Sequence, residues 1–169
     1  MTHQPETAVP AGAVNTITTE IRAYGQRYLE TGGFLMLPRE SDTITTVAFA
    51  GIAGIERRRH LFQISERALD RLFTFADDHD LYIPVQFHSH EYDAYLSWTD
   101  TQHGLRVDGF TSVVIPTYSD PPTDMGRWGW WWFTASEWAP APVAHDGPGR
   151  VRVVRFDEDG VREDGVHGA

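Results

Sequence analysis

Two histidines, a serine and an aspartate lie close together in the segment HSHEYDAYLSWTD, which begins at His88 and ends at Asp100. His88 and His90 are two residues apart, so on a β-strand both side chains leave the same face and both imidazoles can reach one ion. Zinc binds imidazole nitrogen and carboxylate oxygen at about 2.0–2.1 Å, and a catalytic zinc keeps a fourth position for water. The spacing therefore predicts a Zn²⁺ site with His88, His90 and Asp100 as its ligands.

The residues before the histidine pair indicate how it would be held. The apolar run LYIPVQF precedes His88 and is typical of a strand, so the ligands would emerge where a strand meets a loop. The alternative is that these are ordinary histidines, because the chain has 8 of them and short motifs occur by chance. Ser97 and Asp100, in a Ser-x-x-Asp spacing, favour the metal site.

A glutamate upstream extends the pattern. Glu30 lies in the segment LETGGFLMLP, where glycines and an apolar run follow it. Together with the His-x-His and Ser-x-x-Asp spacings, this arrangement resembles the JAB/MPN (JAMM) zinc metalloprotease family, in particular its prokaryotic deubiquitinase-like isopeptidases. The resemblance covers roughly residues 19–138.

The resemblance implies a role for each matching residue. His88, His90 and Asp100 would bind zinc, Glu30 would be the general base, and Ser97 would stabilise the oxyanion. Physical chemistry is consistent with these roles, because zinc lowers the pKa of a bound water to about 7 and a nearby carboxylate can take its proton. The implied fold is a single α/β (α+β) domain of the MPN/JAB type, a curved β-sheet sandwiched by helices.

The resemblance also implies a substrate, the bond that follows the C-terminal tail of a ubiquitin-like protein, cleaved in deconjugation or in precursor processing. The expected partners are that protein or its conjugates and E1- or E2-like enzymes, in a bacterial conjugation or phage-defence operon. Three alternatives remain open at this point: a hydrolase that processes sulfur-carrier proteins, a non-catalytic MPN scaffold module, and a metal hydrolase of small amides.

The segment departs from the family pattern in two ways. The family usually has proline where this chain has Glu91, and its span between the second histidine and the serine is one residue longer than EYDAYL. Because Ser97 and Asp100 keep their own spacing, a helical turn that starts near Ser97 could carry both as a unit. Glu91 and Asp93 either alter local pKa values and substrate preference or form a solvated loop face.

Composition limits the classes of function. A chain of 169 residues fits one domain, and 41% hydrophobic with 22% charged residues is ordinary for a soluble globular protein. The absence of cysteine excludes disulfides, thiolate metal sites and a cysteine nucleophile. A net charge of −10 disfavours unaided binding to nucleic acid or an anionic membrane. The sequence has no signal-peptide pattern or spanning run, so we expect a cytoplasmic location.

The elements expected along the chain alternate between helix and strand. Residues 1–14 are predicted to be a flexible lead-in, residues 15–138 the metalloprotease domain, and residues 139–169 a linker with a possible edge strand at 150–156 and a mobile acidic tail. Within the domain we predict helices at 16–29, 65–78 and 100–107, and strands at 33–37, 43–50, 59–64, 81–90 and 111–118. The segment RWGWWWFTASEW is either a strand buried on one side or a surface for an extended peptide.

Overall fold

The computed structural model describes residues 7–167, with side chains as far as residue 164. Its helices are α1 (Ala11–Gly25), α2 (Glu66–Asp78) and α3 (Trp98–His103), and a short 3-10 helix covers Met125–Arg127. The strands are β1 (Ala8–Pro10), β2 (Gly32–Pro38), β3 (Thr46–Ala50), β4 (Ile55–Arg58), β5 (Leu61–Ile64), β6 (Leu81–Ser89), β7 (Thr111–Ile115), β8 (Gly129–Thr134), β9 (Glu137–Pro140), β10 (His145–Gly147), β11 (Val151–Asp157) and β12 (Gly160–His167).

One large sheet organises the chain. Its strand order is β12-β11-β3-β2-β6-β7-β8-β9, with β11 and β3 parallel, β6 and β7 parallel, and the remaining neighbours antiparallel. The strand that ends in the histidine pair, β6, is an interior strand between β2 and β7. His88 is therefore carried by a strand held on both sides by backbone hydrogen bonds, and His90 directly follows that strand.

Helices cover both faces of the sheet. Alternate side chains of β2 go to opposite faces, because Leu35 packs in the core beneath α1 while Phe34 packs in the core beneath α2. Ile17 of α1 and Leu72 of α2 are fully buried in these two cores. The prediction of a single α+β domain with helices on either side of a sheet is confirmed. No helix within residues 7–167 is long and apolar enough to cross a membrane.

The chain becomes ordered earlier than the sequence suggested. Residues 8–10 form a buried strand rather than a flexible lead-in, and α1 occupies Ala11–Gly25 rather than residues 16–29. The reason is that Val9 and Val14 pack into the core beneath α1. At its other end α1 stops at Gly25, so Tyr28, within the helix predicted at 16–29, lies beyond it and is 60% exposed. Residues 1–6 of the predicted lead-in lie outside the described residues.

The C-terminal segment also differs from expectation. The strand predicted at the edge, β11, is an interior strand between β3 and β12, and the acidic segment predicted to be mobile forms the edge strand β12. Val153 and Val154 are buried on opposite faces because the sheet is covered on both sides. This segment completes the domain rather than trailing from it, and residues 168 and 169 lie outside the described part.

Smaller differences occur in the middle of the chain. Ser65, the first residue of the helix predicted at 65–78, is the N-cap of α2, since its hydroxyl accepts a hydrogen bond from the backbone N–H of Ala68. On this helix Phe73 is 38% exposed, whereas Leu72 is fully buried. The strand expected at residues 59–64 is part of a hairpin of β4 and β5, and the helix expected at 100–107 is α3. The hairpin turn places Arg59 beside the loop that follows β6.

Candidate metal centre

The histidine pair lies at the C-terminal end of β6. His88 is opposite Gly32 of β2 and Val114 of β7, so its backbone is fixed on both sides. His90 continues the line, because its N–H donates to the carbonyl of Ile115 at 2.9 Å. The Nε2 atoms of the two imidazoles are 3.1 Å apart. The same-face arrangement expected from the two-residue spacing is present.

The third predicted ligand comes from the start of α3. Ser97 and Asp100 form a capping box, in which the Ser97 hydroxyl accepts from the N–H of Asp100 at 3.0 Å and the Ser97 N–H donates to Asp100 Oδ2 at 2.8 Å. The same Oδ2 lies 3.1 Å from Nε2 of both His88 and His90. The capping hydrogen bonds therefore hold this carboxylate oxygen close to both imidazoles.

The three ligand atoms lie close enough together to hold one metal ion. Their mutual distances of 3.1 Å form a nearly equilateral triangle. Ligands around a tetrahedral zinc at ordinary bond lengths lie about 3.3 Å from one another. His88, His90 and Asp100 therefore fit a metal ion with only a slight expansion of the triangle.

Glu30 lies beside this triangle. Its side chain is buried, and Oε1 is 3.9 Å from Nε2 of His90. The backbone on either side is fixed, because the N–H of Glu30 donates to the carbonyl of Arg58 at 2.9 Å and the N–H of Thr31 donates to the Ser89 hydroxyl at 2.9 Å. That hydroxyl in turn donates to the Thr31 carbonyl at 3.2 Å. The end of β6 thus holds both the ligands and the segment that carries Glu30.

The electrostatics of the cluster favour a cation. Burial raises the pKa of Glu30 to about 8. The positive charge of His90 lowers this pKa, whereas the negative charges of Asp100 and Asp93 raise it. Burial opposes protonation of His90, but hydrogen bonds to Asp100 and Asp93 and the Glu30 charge raise its pKa to about 9. Burial also disfavours the Asp100 carboxylate, but hydrogen bonds from His88 and His90 hold its pKa well below the usual range. Several carboxylates thus surround one small volume, where positive charge is stabilised.

The loop between His90 and Ser97 is fixed at two points. Glu91 accepts two hydrogen bonds from Arg59, at 2.7 and 2.8 Å, in a bidentate ion pair. In the middle of the loop, the carbonyl of Ala94 accepts a hydrogen bond from Trp131 Nε1 at 3.2 Å. Gly129 approaches the same carbonyl closely. The shortened loop is therefore held against β8.

The tryptophan-rich strand has a mixed role. Trp128 and Trp130 are buried in the core beneath α1, as the interpretation of a strand buried on one side requires. Trp131 supports the loop as described, and Trp138 Nε1 is 3.4 Å from the carbonyl of Thr101 in α3. The second interpretation, a surface for an extended peptide, stays a prediction.

Solved structures resemble this chain over most of its length. A protein from Desulfitobacterium hafniense has a TM-score of 0.63 at 12% identity, over 83% of this chain and 94% of that one. A JAB1/MPN domain protein from Archaeoglobus fulgidus has a TM-score of 0.51 at 12% identity, over 84% and 99%. The fold is MPN/JAB-like. A protein from Salinibacter ruber gives 0.50 at 20% identity, over 84% and 93%. No protein-family model and no curated protein sequence matches the chain.

On this MPN/JAB-like fold, His88, His90, Asp100 and Glu30 come together as the sequence predicted. Ser97 lies next to them as the helix cap, and its role at an oxyanion stays a prediction. Its hydroxyl accepts the N–H of Asp100 through a lone pair, so the hydroxyl proton can still be donated to another group.

Sequence reasoning did not foresee three contacts that position the site. These are the Arg59–Glu91 ion pair, the hydrogen bonds between Ser89 and Thr31, and a contact between His90 and Asp93. Only the last had a local signal, a carboxylate three residues after a predicted ligand. The first two join residues far apart in the sequence: the ion pair depends on the β4–β5 hairpin, and the Ser89–Thr31 hydrogen bonds depend on the pairing of β2 with β6 in the large sheet.

We expect Gly129→Ala to weaken metal binding about 10-fold or more, as loss of an outer-shell support does. A Cβ at Gly129 would lie 1.7 Å from the carbonyl oxygen of Ala94, so the loop that leads to Asp100 must move. Gly126→Ala is the matched control, because its Cβ would meet only the Asp124 side chain, at 3.1 Å. Zinc affinity by competition with a chelator, with circular dichroism as the check of folding, measures the effect. Wild-type affinity in folded Gly129→Ala would contradict it.

Proposed function

We propose that this protein is a zinc-dependent peptidase or isopeptidase. One observation carries the proposal: the equilateral triangle of His88, His90 and Asp100 ligand atoms has a buried carboxylate, Glu30, 3.9 Å from one corner. Three protein ligands are the number that a catalytic zinc takes when its fourth position serves water or substrate. A structural zinc site would not need an additional buried carboxylate beside it.

The chain's own residues can carry the proton transfers. Zinc bound at the triangle would supply Lewis acidity and lower the pKa of a water to about 7. Glu30 would accept a proton beside His90 and deliver it to a leaving amine, because its buried carboxylate oxygen Oε1 lies 3.9 Å from Nε2 of that ligand. The Ser97 hydroxyl is the candidate donor to an oxyanion. Hydrolysis by this route needs no covalent intermediate, in agreement with a chain that lacks cysteine.

The proposed substrate is the bond after the C-terminal tail of a ubiquitin-like protein, in a conjugate or in a precursor. Its support is the JAMM-like sequence pattern together with the MPN/JAB-like fold. A surface cavity that adjoins His88 and Asp100 offers room beside the triangle, and Gln63, Gln86 and Ser112 also line it. E1- or E2-like enzymes of a bacterial conjugation or defence system, working in the cytoplasm, are the partners that this proposal implies.

The test is a measurement of bound metal and of cleavage of a ubiquitin-like fusion by the wild-type protein. We expect zinc to copurify, cleavage to stop after treatment with a chelator, and cleavage to return when zinc is added back. A wild-type protein that binds no zinc would refute the proposal. Zinc binding with cleavage of a sulfur-carrier fusion alone would retain the chemistry and change the substrate to the sulfur-carrier class.

A further inference from the structure

The loop that departs from the JAMM-like pattern brings a second carboxylate to the histidine pair. Asp93 Oδ1 lies 3.0 Å from Nδ1 of His90, the ring nitrogen opposite the one that faces Asp100. The carboxylate is 58% exposed, whereas His90 is 10% exposed. The contact thus joins a loop side chain at the surface to the far side of a buried ligand.

The geometry points to Asp93 as a positioning residue that selects Nε2 of His90 as the metal-binding atom. This inference rests on the zinc site proposed above. Neutral imidazole carries its proton on one nitrogen and offers the other as a ligand. A carboxylate acceptor at Nδ1 keeps the proton there, leaves Nε2 to the metal, and fixes the plane of the ring.

The backbone around Asp93 holds the carboxylate in place. The same Oδ1 accepts a hydrogen bond from the N–H of Tyr95 at 3.1 Å, which closes a turn within the loop. Glu91 on one side is fixed by Arg59, and Ala94 on the other is fixed by Trp131. These contacts restrict the loop around Asp93, and the hydrogen bond from its carboxylate to Nδ1 of His90 is what distinguishes it from ordinary loop surface.

With Asp93 in this role, the shortened loop helps to position the metal ligands. The segment EYDAYL begins where the JAMM-like pattern usually has proline, which would fix the backbone after the second histidine by restricting φ. Here the Glu91 ion pair fixes that point, and Asp93 then fixes the histidine ring itself. The loop thus orients one ligand directly and leads through Ser97 to another, Asp100.

The test compares Asp93→Ala and Asp93→Asn with Asp124→Ala. Asp124 Oδ1 accepts a hydrogen bond from the N–H of Gly126, two residues on, as Asp93 Oδ1 does from Tyr95. Asp124→Ala therefore removes a hydrogen bond of the same kind at a residue that does not contact the ligands. We expect zinc affinity, measured by competition with a chelator, to fall about 10–100-fold in Asp93→Ala. It should fall less in Asp93→Asn, whose amide oxygen still accepts a hydrogen bond, and should stay at the wild-type level in Asp124→Ala.

A spectroscopic readout separates positioning from general stability. In the zinc-loaded wild type, the Nδ1–H proton of His90 should give a hydrogen-bonded imidazole signal in proton NMR. The signal should be lost through solvent exchange in Asp93→Ala and kept in Asp124→Ala. Wild-type zinc affinity in Asp93→Ala overturns the role of Asp93 alone, whereas a wild-type protein that binds no zinc overturns both this role and the proposed function.

Discussion

Glu30→Gln should lower kcat for fusion cleavage by roughly 10²–10⁴-fold, the usual contribution of a positioned general acid–base residue. Glutamine keeps the size of the side chain and one oxygen but cannot take a proton from water. Because Glu30 is not one of the three atoms in the ligand triangle, the variant should bind as much zinc as the wild type. Steady-state kinetics and metal analysis of the same preparation measure the two quantities.

The stability of Glu30→Gln separates a catalytic role from a structural one. Burial raises the pKa of Glu30 to about 8, which means that the folded environment disfavours its charged form. A neutral amide removes that cost, so the metal-free variant should unfold at a temperature no lower than the metal-free wild type. Glu40→Gln, at an exposed position after β2, is the control. Wild-type kcat in zinc-loaded Glu30→Gln would exclude Glu30 as the base.

The parts of the site that the sequence predicted are those that depend on local geometry. The period of two residues in a strand places His88 and His90 on one face whatever the strand pairs with. A Ser-x-x-Asp capping box links Ser97 to Asp100 through hydrogen bonds within four consecutive residues. Neither arrangement needs knowledge of the tertiary structure, so both are visible in the sequence.

The parts that the sequence did not predict depend on contacts between distant segments. The interior strand β11 is interior only because it pairs in parallel with β3, a connection that crosses much of the chain. Likewise, residues 8–10 belong to a segment rich in Ala, Pro and Thr that is typical of a flexible lead-in, but Val9 packs in the core beneath α1. Composition alone predicted flexible segments at both ends of the chain, but these segments form strands because their valines are buried in the core.

The shortened loop combines features that are visible in the sequence with contacts that only the folded structure shows. Its length and the glutamate in place of proline are visible in the sequence, and they argued against a well-formed site. The compensating contacts, from Arg59 to Glu91 and from Trp131 to Ala94, come from the hairpin of β4 and β5 and from β8. The effect of a shortened loop on the site can therefore be judged only when the residues that contact the loop in the folded protein are known.

His88→Ala should abolish both zinc retention and cleavage. His88 supplies one corner of the ligand triangle from an interior strand, and a residue elsewhere on the rigid sheet cannot move in to replace it. The loss of zinc affinity should exceed the roughly 10–100-fold cost of removing an outer-shell partner, because a metal–ligand bond itself is lost. Metal analysis after dialysis and fusion cleavage with added zinc measure the two effects.

His103→Ala is the matched control, since His103 is an exposed histidine that lines the cavity beside His88 but lies outside the triangle. It should keep zinc, and any loss of cleavage should appear in KM, because the residue would touch substrate rather than metal. If His88→Ala kept zinc and His103→Ala lost it, the metal would lie in the cavity and not in the triangle. The assignment of Glu30 as the base, which rests on its distance from His90 in the triangle, would then lose its support, so the pair of variants tests the ligand set and the assignment of the base together.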